Sequence, residues 1–269
     1  MQIRAIATDL DGTLLRSDNT VSQRTREAVH AAEDAGLLVV LATGRPPRWI
    51  PPVVEELGER GLVVCANGAS VYDPARHELV ARTELDPATV LGLVDELEER
   101  FPEALLAVEQ GFDFGVDEKV EESGIVLAEN WKLDHVRVGP IRSFLEQPVI
   151  KLIVRFPEEV PGTAAAVQAV VGDRAIVTHS ISEAFLEVSH PMAHKANTVE
   201  RLLEGSGIEA AHVAAFGDMP NDIELIRWAG LGVAVENAAP PVKAVADEIT
   251  ATNDDDGVAR VIERILTDL

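Results

Sequence analysis

Ile3 to Leu15 reads IRAIATDLDGTLL. An apolar run, Ile3-Arg4-Ala5-Ile6-Ala7, leads directly into two carboxylates, Asp9 and Asp11, then a turn glycine, Gly12, and a hydroxyl, Thr13. Alternate residues of a strand point to opposite faces, so Asp9 and Asp11 can project from the strand end towards one spot. Two carboxylates held together repel unless a positive charge offsets them. A divalent cation would do so, and oxygen donors suit Mg2+. A lone D-x-D is equally well read as a solvated acidic turn. The full D-L-D-G-T-L, behind an apolar run, narrows the choice.

Outward from this strand the chain alternates strand and helix patterns. Ser22 is placed to cap a helix from about Gln23 to Ala35, with Ala28, Val29 and Ala32 on one face and Gly36 as its stop. Leu37 to Ala42 is a continuous apolar run, as expected of a parallel strand covered on both faces. Pro46, Pro47, Pro51 and Pro52 are expected to delay the next helix to Val53–Leu57. Leu62 to Ala66 reads as a third strand, Asn67-Gly68 as a turn, and Asp73-Pro74 as the bend of a hairpin. Cys65, the only cysteine, lies in an apolar run and reads as a buried strand thiol.

The rhythm changes near Leu85. Pro87 to Phe101 is an amphipathic helix, followed by strand candidates at Leu105–Glu109, Phe112–Val116 and Val149–Phe156. A small-residue helix at Pro161–Val171 and strands at Ala175–Thr178 and Ala184–Val188 complete a mix that reads as α+β. The strand–helix rhythm then resumes. A helix opens at Lys195, and strands are expected at Val213–Gly217 and Leu231–Val235, with a helix at Asp222 between them. The expected fold class is therefore α/β: a doubly wound, Rossmann-like parallel-sheet core from residues 1–85 and 191–269, interrupted by an α+β cap at 86–190. Hinges are expected near Leu85–Asp86 and Ser189–Pro191. Ligands of such sheets bind at the carboxyl ends of the strands. Asp9, Thr43 and Asp218 all fall there.

Four stretches, in order, resemble the signatures of the haloacid dehalogenase superfamily of phosphohydrolases. They are DLDGT at Asp9, LLVVLATGR ending in Thr43-Gly44-Arg45, Lys195 at the head of KANTVERLLEGSGI, and AAFGDMPND from Ala214 to Asp222. The N-G-A at Asn67 and the ending NDDDGVARVIER further resemble the Cof-type branch. The resemblance implies that Asp9 attacks phosphorus and forms an aspartyl phosphate. It implies that Asp11 protonates the leaving group and later activates water. Thr43 would donate to a phosphoryl oxygen, and Lys195 would offset charge. Mg2+ would be held by Asp9, the Asp11 backbone carbonyl and Asp218, with Asn221 and Asp222 in outer or water-mediated contact. Gly44, Arg45 and Asn67 are further candidates for touching substrate.

Each of these has a plain structural alternative. T-G-R alone is a strand-end threonine in a turn. Lys195 alone is a helix-start lysine, although a cation is slightly unfavourable there. Asp218 and Asp222, around Pro220-Asn221, also make a good helix start. Ala196 stands where relatives often carry glycine. His190 and His194, at the return from the insert, read as hinge or surface residues, and Trp131 as a packing residue.

Net charge is −23, from 23 basic and 46 acidic residues. This argues against nucleic acid or an anionic membrane as a partner. A phosphate ester is also an anion, so the site itself must be locally positive. One cysteine excludes an intrachain disulfide, and no apolar run approaches the roughly 20 residues that span a bilayer. A cytoplasmic protein is expected, acting on a small phosphorylated metabolite as a monomer or weak homo-oligomer. Mg2+-dependent phosphatase is the leading reading. A phosphotransferase of the same superfamily, such as a phosphomannomutase-like enzyme, shares the first steps. A non-enzymatic phosphoaspartate switch also clusters Asp, a hydroxyl, Lys and Mg2+. Such switches are much shorter and lack both the insert and a second aspartate two residues after the first.

Overall fold

The computed structural model describes residues 2–58, 61–120, 136–179 and 182–269. The chain forms two compact units. One comprises Met1–Arg45, Trp49–Ala81 and His194–Leu269, and the other Pro46–Arg48 and Arg82–Ala193. Trp131 lies outside the described residues.

The first unit is built on an eight-stranded sheet. Its strands are β1 (Ala5–Thr8), β2 (Leu38–Ala42), β3 (Leu62–Cys65), β4 (Ser70–Asp73), β5 (Glu78–Arg82), and, from the far end of the chain, β12 (Val213–Gly217), β13 (Leu231–Ala234) and β14 (Glu248–Ile249). The order is β14-β13-β12-β1-β2-β3-β4-β5. All pairs from β14 to β3 are parallel, and β4 turns back antiparallel on β3. Strand order therefore reverses at β1 and β12, the position where doubly wound sheets place their ligands. Every residue of β1 is buried, as a strand covered on both faces requires.

Helices flank this sheet. In α1 (Gln23–Asp34) the Ser22 hydroxyl accepts from Thr25 N at 3.0 Å, capping one of the orphan amides, and Ala28, Val29 and Ala32 are buried. Helix α2 spans Pro51–Glu56, so Pro51 and Pro52 form its first turn and do not delay it. The first turn has amides without intrahelical partners, so proline loses nothing there. The remaining helices of the unit are α5 (Lys195–Glu204), α6 (Ile223–Trp228), α7 (Pro240–Lys243) and α8 (Gly257–Thr267). Ala196, Val199 and Leu203 of α5 pack with Ala5, Ala7, Val40 and Ala215 of the sheet. Burial of a valine or leucine side chain of this kind contributes about 1.5–3 kcal/mol.

The second unit carries a six-stranded sheet of order β10-β11-β9-β6-β7-β8. Its strands are β6 (Leu105–Gln110), β7 (Asp113–Asp117), β8 (Val136–Gly139), β9 (Lys151–Arg155), β10 (Ile176–Thr178) and β11 (Phe185–Ser189). Pairing is antiparallel except between β7 and β8. One face packs Leu106, Val108, Leu152, Val154, Leu186 and Val188 against α3 (Pro87–Arg100) and α4 (Thr163–Val171). The opposite face holds Ala107, Phe114, Val116 and Ile153, together with two buried ion pairs, Lys151–Glu187 and Arg48–Glu109. Strand β8 is a four-residue V-R-V-G alternation with no fully buried residue, too short a signal to stand out in the sequence. No helix of the described residues is long and apolar enough to cross a membrane.

Candidate active site

The chain leaves β1 through a tight turn over Leu10–Leu14. Leu14 N donates to Asp9 O at 3.3 Å and Leu15 N to Leu10 O at 2.8 Å, so each bond spans five residues. Asp11 is extended within the turn and Gly12 is left-handed, with φ +75°. Glycine is needed here for two reasons. Its φ disfavours other residues, and a Cβ would come within 2.5 Å of Asp218 Oδ2. Asp218 follows the adjacent strand β12, and the Thr13 hydroxyl donates to its Oδ1 at 3.0 Å. A role for Thr13 is not evident from the D-L-D-G-T stretch alone. A hydroxyl one residue past a turn glycine is the signal that could have assigned one.

Lys195 is the charged centre of the site. It is 2 % exposed, and its Nζ donates to Asp9 Oδ1 and Asp222 Oδ1, each at 2.6 Å. These bonds explain a lysine at the first position of a helix, where the dipole disfavours it. Asp222 is wholly buried. Its other oxygen accepts from Asp218 N at 3.1 Å and Met219 N at 3.0 Å, so this carboxylate orients the lysine and the start of the following turn together. Asp9, Asp218 and Asp222 each offer a carboxylate oxygen within 4.8 Å of the others.

Three carboxylates face one ammonium, and the electrostatics follow from that imbalance. Burial pushes Lys195 down, but Asp222 and Asp9 outweigh it and raise the group above its ordinary value. Asp9 is raised well above the carboxylate range by burial, against the pull of Lys195 and with the push of Asp222 and Asp218. Asp218 is pushed up to about 6, by burial first and then by Asp222. In both groups burial outweighs the one ammonium nearby. The donor set fits a hard divalent cation, because it is all oxygen, buried and short of counter-charge. With Asp222 committed to Lys195 and the backbone, Asp9 and Asp218 are the carboxylates able to hold the ion.

The remaining expected residues surround this centre. Thr43, fully buried at the end of β2, accepts from Arg45 N at 3.0 Å through Oγ1, which leaves its hydroxyl proton able to donate elsewhere. The side chain of Arg45 is turned onto Asp11 through its Nε, at 2.8 Å from Oδ2, and its Nη2, at 2.5 Å from Oδ1. Two parallel bonds of this kind give a fixed geometry. Asn67 has a left-handed φ of 56° and accepts from Asn221 Nδ2 at 2.9 Å, and a Cβ on Gly44 would lie 3.2 Å from its Oδ1. Asn221 Oδ1 is buried and has no hydrogen-bond partner among the described residues. His194 Nδ1 lies 3.0 Å from Glu224, and His190 Nδ1 accepts from Met192 N. Neither histidine has a described bond to the carboxylate cluster.

A doubly wound sheet thus brings together an aspartate pair after β1, a bridging lysine and an acidic turn after β12. The profile of the haloacid dehalogenase-like hydrolases matches residues 6–262, and the chain belongs to that family. Within it, the protein is a phosphatase. The 5-amino-6-(5-phospho-D-ribitylamino)uracil phosphatase YitU of Bacillus subtilis is 31% identical over 265 residues, covering 96% of each chain. A crystal structure of a haloacid dehalogenase-like hydrolase from Bacteroides thetaiotaomicron is 30% identical with a TM-score of 0.80, covering 98% of this chain and 100% of the other. The subclass IIB sugar phosphatase BT4131 shares the fold, with a TM-score of 0.79 at 22% identity over 97% of this chain and 98% of the other.

Proposed function

We propose that the protein is a Mg2+-dependent phosphatase that hydrolyses small phosphorylated metabolites, of the sugar-phosphate kind, through a phosphoryl group carried on Asp9. The observation that carries this reading is the Lys195 bridge, which holds Asp9 and Asp222 at 2.6 Å each beside Asp218. Relatives support the substrate class, since one of them is named for a phosphorylated ribityl compound.

In this reading the Asp9 carboxylate attacks phosphorus, and the bond from phosphorus to the leaving oxygen breaks. Asp11 gives its proton to that oxygen. Asp11 then takes a proton from water as the water attacks the acyl phosphate, releasing inorganic phosphate and restoring Asp9. Lys195 lowers the repulsion between Asp9 and the incoming anion. Thr43 donates to a phosphoryl oxygen, and Gly44, Arg45 and Asn67 line the approach. Mg2+, held by Asp9, the Asp11 carbonyl and Asp218, would neutralise charge on the phosphoryl oxygens, with Asn221 and Asp222 in outer contact. Asp11 must leave Arg45 to serve as acid, so the Arg45 pair sets the resting position of its carboxylate.

The core groups grip only a phosphoryl group. Discrimination between esters is therefore assigned to the second unit, acting as a cap. The test is a panel of phosphomonoesters assayed on purified protein with Mg2+ and after exhaustive chelation, with all products identified. Release of inorganic phosphate that stops on chelation is expected. Full activity without metal overturns the cofactor assignment, and phosphate recovered on an acceptor hydroxyl would make the protein a phosphotransferase.

A further inference from the structure

The ending NDDDG has no part in the chemistry above, yet its side chains reach the turn that carries Asp11. Asn253 is 7% exposed, and its Nδ2 donates to Leu15 O at 2.9 Å. Asn253 N donates to Asn237 Oδ1 at 3.0 Å, and Asn237 Nδ2 donates to Gly12 O at 2.7 Å. A carbonyl only accepts and an amide N–H only donates, so the two bonds of Asn237 fix which way its amide points. The same segment also holds the opposite side of the cluster, because Ala239 N donates to Asp218 O at 2.8 Å. Further along, Ser17 N and Oγ donate to Asp254, and Arg16 to Asp256.

The Gly12 peptide follows the Asp11 carbonyl directly, and the Asp218 carboxylate lies against the Gly12 Cα. Glycine has the softest backbone of any residue. A rotation about Gly12 would swing the Asp11 carbonyl and change the room left for Asp218. Of the groups described, Asn237 is the one that ties the Gly12 carbonyl. Asn237 is itself exposed, but its bond is held against competition from water because the other end of the amide is tied to Asn253.

We propose that Asn237, backed by Asn253, is a positioning residue of the phosphoryl-transfer site, fixing the Gly12 peptide and so the spacing between the Asp11 carbonyl and Asp218. This rests on the reading of the site as metal-dependent. The experiment uses the full chain as wild type, Asn237→Asp, Asn237→Ala and Asp254→Ala. Mg2+ binding is measured by calorimetry, and hydrolysis of a generic phosphomonoester is followed across Mg2+ concentration. Asn237→Asp is isosteric and still accepts from Asn253, but it cannot donate to Gly12.

Both Asn237 variants should bind Mg2+ about 10–100-fold more weakly, the usual effect of removing a group that orients a metal ligand. Their KM for the ester at saturating Mg2+ should be unchanged. Asp254→Ala loosens the same segment away from Gly12, and should lower the melting temperature with Mg2+ affinity intact. Wild-type Mg2+ affinity in both Asn237 variants overturns the proposal. So does an equal loss in Asp254→Ala, which would show general loosening. A wild type that neither binds Mg2+ nor hydrolyses esters fails the functional reading itself, and the proposal with it.

Discussion

Replacing Lys195 with methionine tests the electrostatic account of the site most directly. Methionine keeps the length and packing of the stem and removes the charge. Two bonds of 2.6 Å disappear, one to Asp9 and one to Asp222. The side chains involved are 1%, 7% and 0% exposed, so water cannot replace the lysine. Removing one partner of a buried ion pair costs about 3–5 kcal/mol, because the charge left behind is uncompensated. With a urea dependence of about 2 kcal/mol per molar, the unfolding midpoint should fall by about 2 M. The assay is urea unfolding followed by circular dichroism in the presence of chelator, so that no cation substitutes for the ammonium. The double variant Lys195→Met/Asp222→Asn removes one positive and one negative charge, and should recover part of the loss. A single variant within about 1 kcal/mol of wild type, below the cost of uncovering a buried charge, would refute the claim that Lys195 neutralises the cluster.

Asp9→Asn should abolish turnover with the fold intact, and phosphate trapped by rapid quench from wild type should map to Asp9. Asp11→Asn should slow turnover by about 10²–10⁴-fold, as loss of a general acid–base group does, and a slowing below about tenfold would reduce Asp11 to a backbone ligand. Gly12→Ala should cost about 1–2 kcal/mol for its left-handed backbone and weaken Mg2+ binding, because the new methyl meets Asp218; calorimetry reads both. Asp254 is held below the ordinary carboxylate value by the Ser17 hydroxyl and backbone N–H. A lowered folded value adds stability above the unfolded value, about 3.9, that is lost as pH falls through the folded one. The wild-type melting temperature should therefore fall below pH about 4, and Asp254→Asn should flatten that fall.

The elements legible from sequence were those with a local signal. The strands carrying Asp9, Thr43 and Asp218 are short apolar runs that end in polar turns, and the helix behind Ser22 has both a cap and a face. Local signals failed where a residue's partner is distant in the chain. Asn237 reads as an ordinary loop asparagine, and only the fold brings it to Gly12. The pairing of Arg45 with Asp11 is invisible for the same reason, as is the hydroxyl of Thr13 on Asp218. The start of α2 at Pro51 lies two residues before the expected Val53, because proline breaks a helix interior but suits its first turn. Strand β8 is hard to see because its V-R-V-G alternation is only four residues long and none of them is fully buried, and it is recruited by pairing with β7.

The sheet of the first unit joins the two ends of the chain, with Ala5 in register with Val213. During synthesis the strand leading into Asp9 emerges well ahead of β12, and its second neighbour does not exist until Val213–Gly217 has been made. Until then β1 has β2 on one side and an open edge on the other, the kind of edge that recruits stray strands. The second unit, lying wholly between these halves in the sequence apart from Pro46–Arg48, has most of its own sheet and helices available earlier. On the ribosome the order of maturation is thus inverted relative to the order of the residues. The insert can condense while the older β1 is still half-paired, and the Lys195 bridge closes only once Asp222 has been made. Long-range pairing of this kind slows folding, so a truncated or stalled chain would carry Asp9 but neither the Lys195 ammonium nor the acidic turn that hold it.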